Sequence, residues 1–301
     1  MLGEVLSALI TERDGIYVDA TFGRGGHSRG ILASLSLRGR LLALDRDPAA
    51  VSVGRLLAEE DPRFVIEPAP FSALSEIAER WGILGRVRGV LLDLGVSSPQ
   101  VDEAERGFSF ALDGPLDMRM SPDRGETAAE WLARATEREI ATVLWEHGEE
   151  RYARRIAHSI VRARAAEPIV RTGRLAAIIA GANPSREKGK HPATRCFQAI
   201  RIHINQELEQ LKSCLAQVID VLAVGGRLAV ISFHSLEDRI VKRFIRSEAR
   251  GDRLPSGVPV SYEAILQRLR PVGRATRPTT DEVVANPRAR SAVLRVAERV
   301  A

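Results

Sequence analysis

Hydrophobic residues in the first third of the chain alternate between short continuous runs and segments with helical spacing. The runs predict four buried strands, at residues 16–20, 40–45, 64–67 and 87–94. The segments between them predict helices, at residues 28–37, 48–60 and 72–81. Repeated strand–helix units of this length indicate an α/β fold with a parallel sheet and right-handed crossovers.

The strand pattern stops after residue 94. A loop rich in Asp, Gly, Pro and Ser is predicted over 101–124, and helices without intervening strands over 127–164 and 175–181. The remaining predictions are a long helix at 197–222, strands at 227–233 and 291–296, and a loop-like stretch at 247–287. We therefore predict a sheet domain in two parts, residues 1–103 and 198–301, with a helical insertion at residues 104–197.

The segment from Asp19 to His27 joins the first strand to the first helix through three glycines, Gly23, Gly25 and Gly26. A strand, a glycine-rich turn and a helix N-terminus can bind a nucleoside cofactor, because glycine lets the backbone approach the ligand. The spacing departs from the dinucleotide pattern G-x-G-x-x-G, and Asp19 would repel a pyrophosphate. This carboxylate suits a ligand with positive charge, such as the amino group of S-adenosylmethionine.

The other strand ends supply further candidates, since ligands of parallel α/β sheets lie beyond the carboxyl ends of the strands. Asp45 either binds ribose hydroxyls or caps the helix that follows, and Phe71 either covers an adenine or belongs to the core. Strand four ends in Asp93 and is followed by Ser97-Ser98-Pro99-Gln100. This segment is a divergent version of the polar-Pro-Pro-aromatic motif with which amino-group methyltransferases hold the target NH2. We expect it to be extended.

Positive charge is concentrated in one part of the chain. The net charge is +5, yet residues 151–201 contain twelve basic and only two acidic residues. This segregation indicates a polyanionic partner such as RNA, with a solvated helix face as the alternative. The candidate RNA-binding residues are Arg151, Arg154, Arg155, Lys188, Lys190 and Arg195.

Other classes of protein and site are disfavoured. No apolar run is long enough for a membrane span, and the start shows no secretory signal, so we expect a cytoplasmic protein. Cys196 and Cys214 are too few for a zinc site or a disulfide framework. His234 and Glu237-Asp238 are interpreted as lining the pocket and capping the next helix rather than as metal ligands. We predict no metal site.

Over essentially its whole length, the chain resembles the bacterial 16S ribosomal RNA cytosine-N4 methyltransferases of the MraW/RsmH family. The matching segments are residues 19–27, 91–100, 105–110, 115–120, 148–151, 191–195, 231–239 and 286–291. Two departures stand out. The family begins with a short His-x-Pro-Val segment before the position of Met1, and Cys196 stands where the family has Thr.

The resemblance implies a Rossmann-like class I S-adenosylmethionine-dependent methyltransferase sheet with an inserted helical domain. It implies methyl transfer from S-adenosyl-L-methionine to N4 of a decoding-region cytidine, in 16S rRNA of the small ribosomal subunit or its precursor. By carry-over, the cofactor-binding residues are Gly25, Gly26, His27, Asp45, Phe71, Asp93 and Gln100, and Asp19 joins them from its position. The candidates for contact with the target amine are Asp93, Ser98 and Pro99. Monomer and homodimer both stay open.

Three alternatives follow from the residues. Methylation at cytosine C5 needs a cysteine nucleophile, typically after proline, whereas Arg195 and Ser213 precede the two cysteines. The others are a non-catalytic RNA-binding or assembly protein, and a small-molecule methyltransferase with the insertion as a lid. A target base in RNA must be unstacked, and three phenylalanines either stack on it or belong to the core: Phe108, Phe110 and Phe233.

Overall fold

The computed structural model describes residues 1–184, 191–251 and 267–301. The chain forms two compact units. One unit comprises Met1–Gly95 with Leu208–Ala301, and the other comprises Val96–Glu207. These boundaries differ from those predicted at 103/104 and 197/198. The insertion extends to Glu207 because the helix at Thr194–Asn205 places Phe197 and Ile200 in the helical core.

The first unit contains a seven-stranded sheet with the order β3-β2-β1-β4-β5-β7-β6. The strands are β1 Ile16–Asp19, β2 Arg40–Asp45, β3 Phe64–Pro68, β4 Val87–Asp93, β5 Leu222–Ser232, β6 Leu269–Pro271 and β7 Val293–Arg299. Strands β1 to β5 pair in parallel, whereas β7 is antiparallel to both β5 and β6. The predicted parallel α/β sheet is confirmed.

Helices cover both faces of this sheet. Within the described residues, the α-helices in chain order are α1 Leu2–Leu9, α2 Gly26–Ser34, α3 Pro48–Glu60, α4 Leu74–Arg80, α5 Ser98–Asp102, α6 Ala128–Arg134, α7 Glu137–Gly148, α8 Ala153–Ala166, α9 Thr172–Ala182, α10 Thr194–Asn205, α11 Glu207–Val221, α12 Ser235–Arg250 and α13 Thr280–Ala285. Apolar residues of α1, α2 and α3 bury one face with Tyr17 and Leu91. Those of α4, α11 and α12 bury the other with Val18 and Val90. Because successive side chains of each strand point to opposite faces, the sheet contributes to two separate cores.

The second unit is helical and has its own apolar core. Trp131 of α6, Leu144 of α7 and Ile156 of α8 pack there with residues of α9 and α10. A helical insertion after the fourth strand is therefore what the structure shows. The core explains why the apolar spacing of this region is helical rather than alternating.

The structure divides the helices predicted over 127–164 and breaks the long helix predicted at 197–222. The segment 127–164 forms α6, α7 and α8, because Thr127 and Thr136 each start a new helix by accepting a hydrogen bond from a backbone N–H three residues on. The segment 197–222 is interrupted at Gln206, whose φ of 52° lies in the left-handed region. These breaks depend on capping and backbone geometry that apolar spacing does not encode.

The prediction of a loop-like stretch over 247–287 is wrong in part. The end of α12, strand β6 and helix α13 all lie in that interval, and residues 252–266 fall outside the described part of the chain. Strand β6 has three residues and ends in Pro271 at the edge of the sheet, where proline is tolerated. So short an element has no readable period.

Candidate active site

Three aspartates end neighbouring strands on the same face of the sheet. Asp19 of β1 pairs in register with Ala43 of β2 and Leu91 of β4. Asp45 and Asp93 therefore lie two residues further along their strands, and alternation places all three side chains on the face covered by α1, α2 and α3. The sequence prediction that these residues share one edge of the sheet is confirmed.

In the glycine turn between β1 and α2, one glycine is required by the fold and its neighbour leaves space for a ligand. Gly25 has a φ of 75°, and its N–H donates to the carbonyl of Phe22 at 2.8 Å. A Cβ built on Gly25 would lie 2.7 Å from the Phe22 ring, whereas one built on Gly26 would meet nothing within 4 Å. The fold therefore requires glycine at position 25, while position 26 leaves open space at the start of α2 for a ligand to approach the backbone.

Asp19 is fully buried, and both of its carboxylate oxygens are engaged within the turn. Ser28 Oγ donates to Oδ2 at 2.6 Å, and the Thr21 N–H donates to Oδ1 at 3.2 Å. Burial raises the pKa of Asp19, and the hydrogen bond from Ser28 opposes that rise. Asp19 therefore holds the turn directly, and its role as a cofactor-binding residue stays a prediction.

Asp45 accepts hydrogen bonds from backbone N–H groups. Its Oδ2 accepts from Gly23 at 2.8 Å and its Oδ1 from Asp47 at 2.9 Å, while burial raises its pKa. The alternative that Asp45 caps α3 is wrong, because the cap is Asp47, which accepts from the Ala49 N–H at 3.0 Å. Ribose binding by Asp45 stays a prediction.

Asp93 has one engaged oxygen and one without a partner. Its N–H donates to Thr21 Oγ1 at 2.6 Å, and its Oδ2 lies 3.2 Å from His27 Nδ1. Its Oδ1 is buried and has no hydrogen-bond partner among the described residues. Because buried polar atoms are almost always paired, this oxygen is an available acceptor, and its role as a ligand contact stays a prediction.

His27, in the first turn of α2, is tuned by its neighbours. Burial lowers the pKa of His27, but the hydrogen bond and charge of Asp93 and the charge of Asp19 outweigh burial and raise it. Sequence reasoning did not single out Thr21, although it belongs to the same turn. Its hydroxyl links the end of β1 to the end of β4.

Two further residues are predicted as cofactor contacts: Phe71, which follows β3, and Gln100, which lies beyond β4. Phe71 is half-buried and packs against the core of Val18 and Val90. Gln100 is buried in the Val96–Glu207 unit, where its Oε1 accepts from the Ser97 N–H at 3.0 Å. Their roles as cofactor contacts stay predictions.

The expectation that residues 97–100 are extended is wrong beyond Ser97. Ser97 has extended dihedrals, φ −73° and ψ 154°, but α5 begins at Ser98 with Pro99 in its first turn. Proline suits the start of a helix because its missing N–H is not needed there. Ser98 is exposed and Pro99 half-buried.

The end of β5 confirms one interpretation and adds a residue. His234 caps α12, as predicted, by accepting from the Glu237 N–H. Asp238 instead binds Arg295 of β7, at 2.6 and 3.0 Å. Sequence reasoning named Ser232 only as part of the strand end, yet its Oγ is buried and has no hydrogen-bond partner among the described residues.

The basic candidates lie in the helical unit. Arg154 and Arg155 are exposed in the first turn of α8, Arg151 is exposed in the turn before it, and none of them forms an ion pair within the described ranges. Arg195 is half-buried on α10. Lys188 and Lys190 fall outside the described residues.

The phenylalanines of the helical unit have packing partners. The Phe110 ring lies 4.8 Å from Phe197 and 4.6 Å from His191, centroid to centroid. Phe108 is buried, with the Arg106 guanidinium 5.8 Å from its ring centre. These contacts favour the core interpretation for both rings.

Both cysteine side chains are buried in apolar cores. Burial raises the pKa of Cys214 to about 12, and burial followed by the charge of Glu150 raises that of Cys196.

In the part of the chain that the structure describes, no helix combines the length and the apolar character needed to cross a bilayer.

Known proteins resemble this chain along its full length. Residues 1–300 match the model of the MraW methylase family. Proteins called ribosomal RNA small subunit methyltransferase H are 60% identical in Thioalkalivibrio sulfidiphilus and 56% identical in Chromohalobacter salexigens. Both alignments cover 100% of this chain, and they cover 96% and 90% of the relatives. A solved rRNA methylase from Streptococcus thermophilus aligns with a TM-score of 0.43 and 12% identity, over 100% of this chain and 94% of that chain.

The sheet, the glycine turn and the strand-end aspartates thus coincide with a family match that spans the chain. The open position at Gly26 and the unpartnered Asp93 Oδ1 fit a ligand with positive charge and hydrogen-bond donors. The chain belongs to the MraW methylase family and is an S-adenosylmethionine-dependent methyltransferase.

Proposed function

We propose that the enzyme methylates the N4 amino group of a decoding-region cytidine in 16S rRNA, within the small ribosomal subunit or its precursor. The observation that carries the proposal is the buried, unpartnered Oδ1 of Asp93, an acceptor at the strand end next to the glycine turn. The names of the relatives, which refer to ribosomal RNA of the small subunit, support this substrate. A ribosomal substrate places the enzyme in the cytoplasm.

The cofactor half of the site is acidic. S-adenosylmethionine, when bound, supplies a methyl group activated by a sulfonium and carries a cationic amino group. The negative charges of Asp19, Asp45 and Asp93 on one face of the sheet favour such a ligand. Gly26 and His27 would meet it at the start of α2, and Asp45 would hold the ribose. Phe71 and Gln100 complete the proposed set.

The target amine needs positioning and an acceptor more than it needs a strong base. Its lone pair is delocalised into the cytosine ring, and the methyl group is already activated, so in-line placement supplies much of the acceleration. Asp93 Oδ1 would accept a hydrogen bond from N4 and take up the proton that the nitrogen loses as its bond to carbon forms. Ser98 and the carbonyl of Pro99 are the other proposed contacts for this amine.

The thiols argue against the C5 alternative. Attack at the cytosine ring requires a thiolate within reach of the base. Cys196 and Cys214 are both 0% exposed, and the raised pKa of each keeps it protonated at neutral pH. Neither is suited to act as that nucleophile.

Small subunits from a strain that lacks the gene provide the decisive substrate. Incubation with the enzyme and labelled S-adenosylmethionine should yield N4-methylcytidine, identified by mass spectrometry of the rRNA nucleosides. The appearance of 5-methylcytidine instead would contradict the proposed position. Cofactor binding without any labelled rRNA would favour the small-molecule alternative.

Substitutions of two arginines in α8 test the proposed RNA binding separately from the methylation reaction. Each phosphate contact contributes roughly 0.7–0.9 to the slope of log affinity against log salt. Changing Arg154 and Arg155 to Gln should weaken binding of the small subunit and reduce that slope by about 1–2. Arg134→Gln is the matched control, because Arg134 is exposed on α6 but forms an ion pair with Glu126. Equal slopes for both variants would remove Arg154 and Arg155 from the proposed RNA contacts.

A further inference from the structure

The end of strand β5 lies beside the end of the strand that carries Asp93. Asp93 is in register with Ile231, and the Leu94 N–H donates to the Ile231 carbonyl at 3.0 Å. The next residues, Ser232, Phe233 and His234, therefore follow at the same edge of the sheet. Ile231 shares the sheet face of Asp93, so alternation directs Ser232 to the other face, and a ligand in contact with both must lie beyond the strand ends. None of them belongs to the proposed cofactor set.

Two buried polar atoms in this segment have no hydrogen bond among the residues described. Ser232 is 1% exposed, and its Oγ has no partner. The His234 side chain is 10% exposed, and its Nε2 is buried and makes no hydrogen bond, although Glu237 Oε1 lies 3.2 Å away. Since proteins pair nearly all buried polar atoms, two exceptions this close in sequence at a ligand-binding edge point to a ligand.

The surroundings of His234 define what its Nε2 offers to a ligand. Its Nδ1 accepts from the Glu237 N–H at 3.5 Å, which leaves Nε2 as the ring nitrogen that can donate. The Glu237 carboxylate is itself fixed, because its Oε2 accepts from the Phe233 N–H at 2.8 Å. His234 Nε2 is therefore a held donor, and the Ser232 hydroxyl can donate as well.

These groups match the polar edge of cytosine. That edge presents one donor, the N4 amino group, and two acceptors, N3 and O2, and enzymes read flipped bases through it. We propose that Ser232 and His234 donate to the N3 and O2 acceptors of the target cytosine, while N4 faces the end of β4. Uracil carries a hydrogen on N3, so this donor pair also selects cytosine over uracil. The inference rests on the proposed N4 methylation.

Two variants separate this role from folding. Ser232→Ala removes one donor. His234→Asn removes the ring Nε2 while keeping an oxygen acceptor at a helix N-cap, a position that Asn favours. Each variant should keep the thermal unfolding temperature and the calorimetric Kd for S-adenosylmethionine of the wild type. Each should lose about 10- to 100-fold in kcat/KM on small subunits.

A substrate analogue gives the sharper test. 3-Deazacytidine keeps the N4 amino group but replaces N3 by a C–H, so it cannot accept a hydrogen bond there. Placed at the target position, it should reduce kcat/KM of the wild type by about 10- to 100-fold. The variant that has lost the donor to N3 should show no further reduction with the analogue.

The outcomes separate the inference from the proposed function. If both variants lose additional activity on 3-deazacytidine by the wild-type factor, the donors act elsewhere and the inference is wrong. A weakened Kd for S-adenosylmethionine would assign Ser232 and His234 to the cofactor, which also overturns it. If the wild type forms no N4-methylcytidine on ordinary subunits, the proposed function itself fails.

Discussion

The ends of strands β1 and β4 carry the same residue type on the same sheet face, yet the two aspartates are bound differently. Asp19 is 0% exposed, and both its oxygens accept hydrogen bonds from the turn that follows it. Asp93 is half-buried, with one oxygen near His27 and the other unpartnered. The strand-end position alone does not decide whether a carboxylate supports the fold or binds a ligand. The hydrogen bonds it already makes decide that.

The difference predicts opposite costs for the same substitution at the two positions. Replacing a fully bonded buried group leaves its partners unsatisfied, which destabilises the fold. Replacing a group that has an unused hydrogen-bond acceptor removes an interaction that exists only with the ligand, which affects binding and turnover.

The largest effect is expected for Asp93→Asn. Asparagine keeps the size of the side chain but removes the charge that would take up the proton of the target amine. Loss of a group that stabilises developing charge typically costs about 10²–10³ in kcat. We expect that decrease in kcat on small subunits, with an unchanged far-ultraviolet circular dichroism spectrum. Full turnover by this variant would transfer the acceptor role to Ser98 or the Pro99 carbonyl.

Asp19→Asn is the matched change at the other strand. The amide oxygen can accept from only one of Ser28 and Thr21, so the hydroxyl of Ser28 must turn to accept from the amide N–H, and the stronger bonds to a charged carboxylate are lost. The free energy of unfolding should fall by about 1–3 kcal/mol in urea titrations. The kcat of the folded protein should fall less than that of Asp93→Asn. If the two variants lose the same kcat and the Asp19 variant keeps its stability, the proposed division between them is wrong.

The sequence predicted the sheet well because its strands are continuous apolar runs separated by helical segments. Strand β2 and helix α3 have the predicted bounds, Arg40–Asp45 and Pro48–Glu60. It also placed Asp19, Asp45 and Asp93 at one edge, because parallel strands end together. What it could not supply was the state of each carboxylate, since hydrogen bonds such as that from Ser28 to Asp19 depend on tertiary placement.

Other sequence predictions failed where local geometry overrides apolar spacing. Helices α10 and α11 appear as one amphipathic segment, and only the left-handed backbone of Gln206 separates them. The segment after Asp93 looked extended because proline disfavours a helical residue before it. In the structure the helix α5 nevertheless begins at Ser98, directly before Pro99.

The adjacent glycines repeat the contrast on a smaller scale. Alanine at Gly25 would combine a positive φ with a Cβ 2.7 Å from the Phe22 ring, and should destabilise the fold by about 1 kcal/mol or more. Alanine at Gly26 meets no protein atom within 4 Å, so stability should stay within about 0.5 kcal/mol of the wild type. The calorimetric Kd for S-adenosylmethionine should nevertheless rise in Gly26→Ala. An unchanged Kd there would place the ligand away from the start of α2.

The smallest expected effect is a pH dependence of stability through His27. Its pKa is raised by Asp93 and Asp19 against the opposing effect of burial. A raised pKa in the folded state stabilises the protein fully below the unfolded value of about 6.5, and this contribution disappears as pH rises through the folded pKa.

The unfolding free energy of the wild type minus that of His27→Gln should therefore be larger at about pH 6 than at about pH 9. Urea titrations across that range measure the difference, and contributions from the other buried carboxyls largely cancel in it. In an Asp93→Asn background the same difference should shrink, because the partner nearest to His27 Nδ1 has lost its charge. A difference that stays flat, or grows towards pH 9, would show that His27 is not held by Asp93, and the end of β4 would then lack the support that distinguishes it from the end of β1.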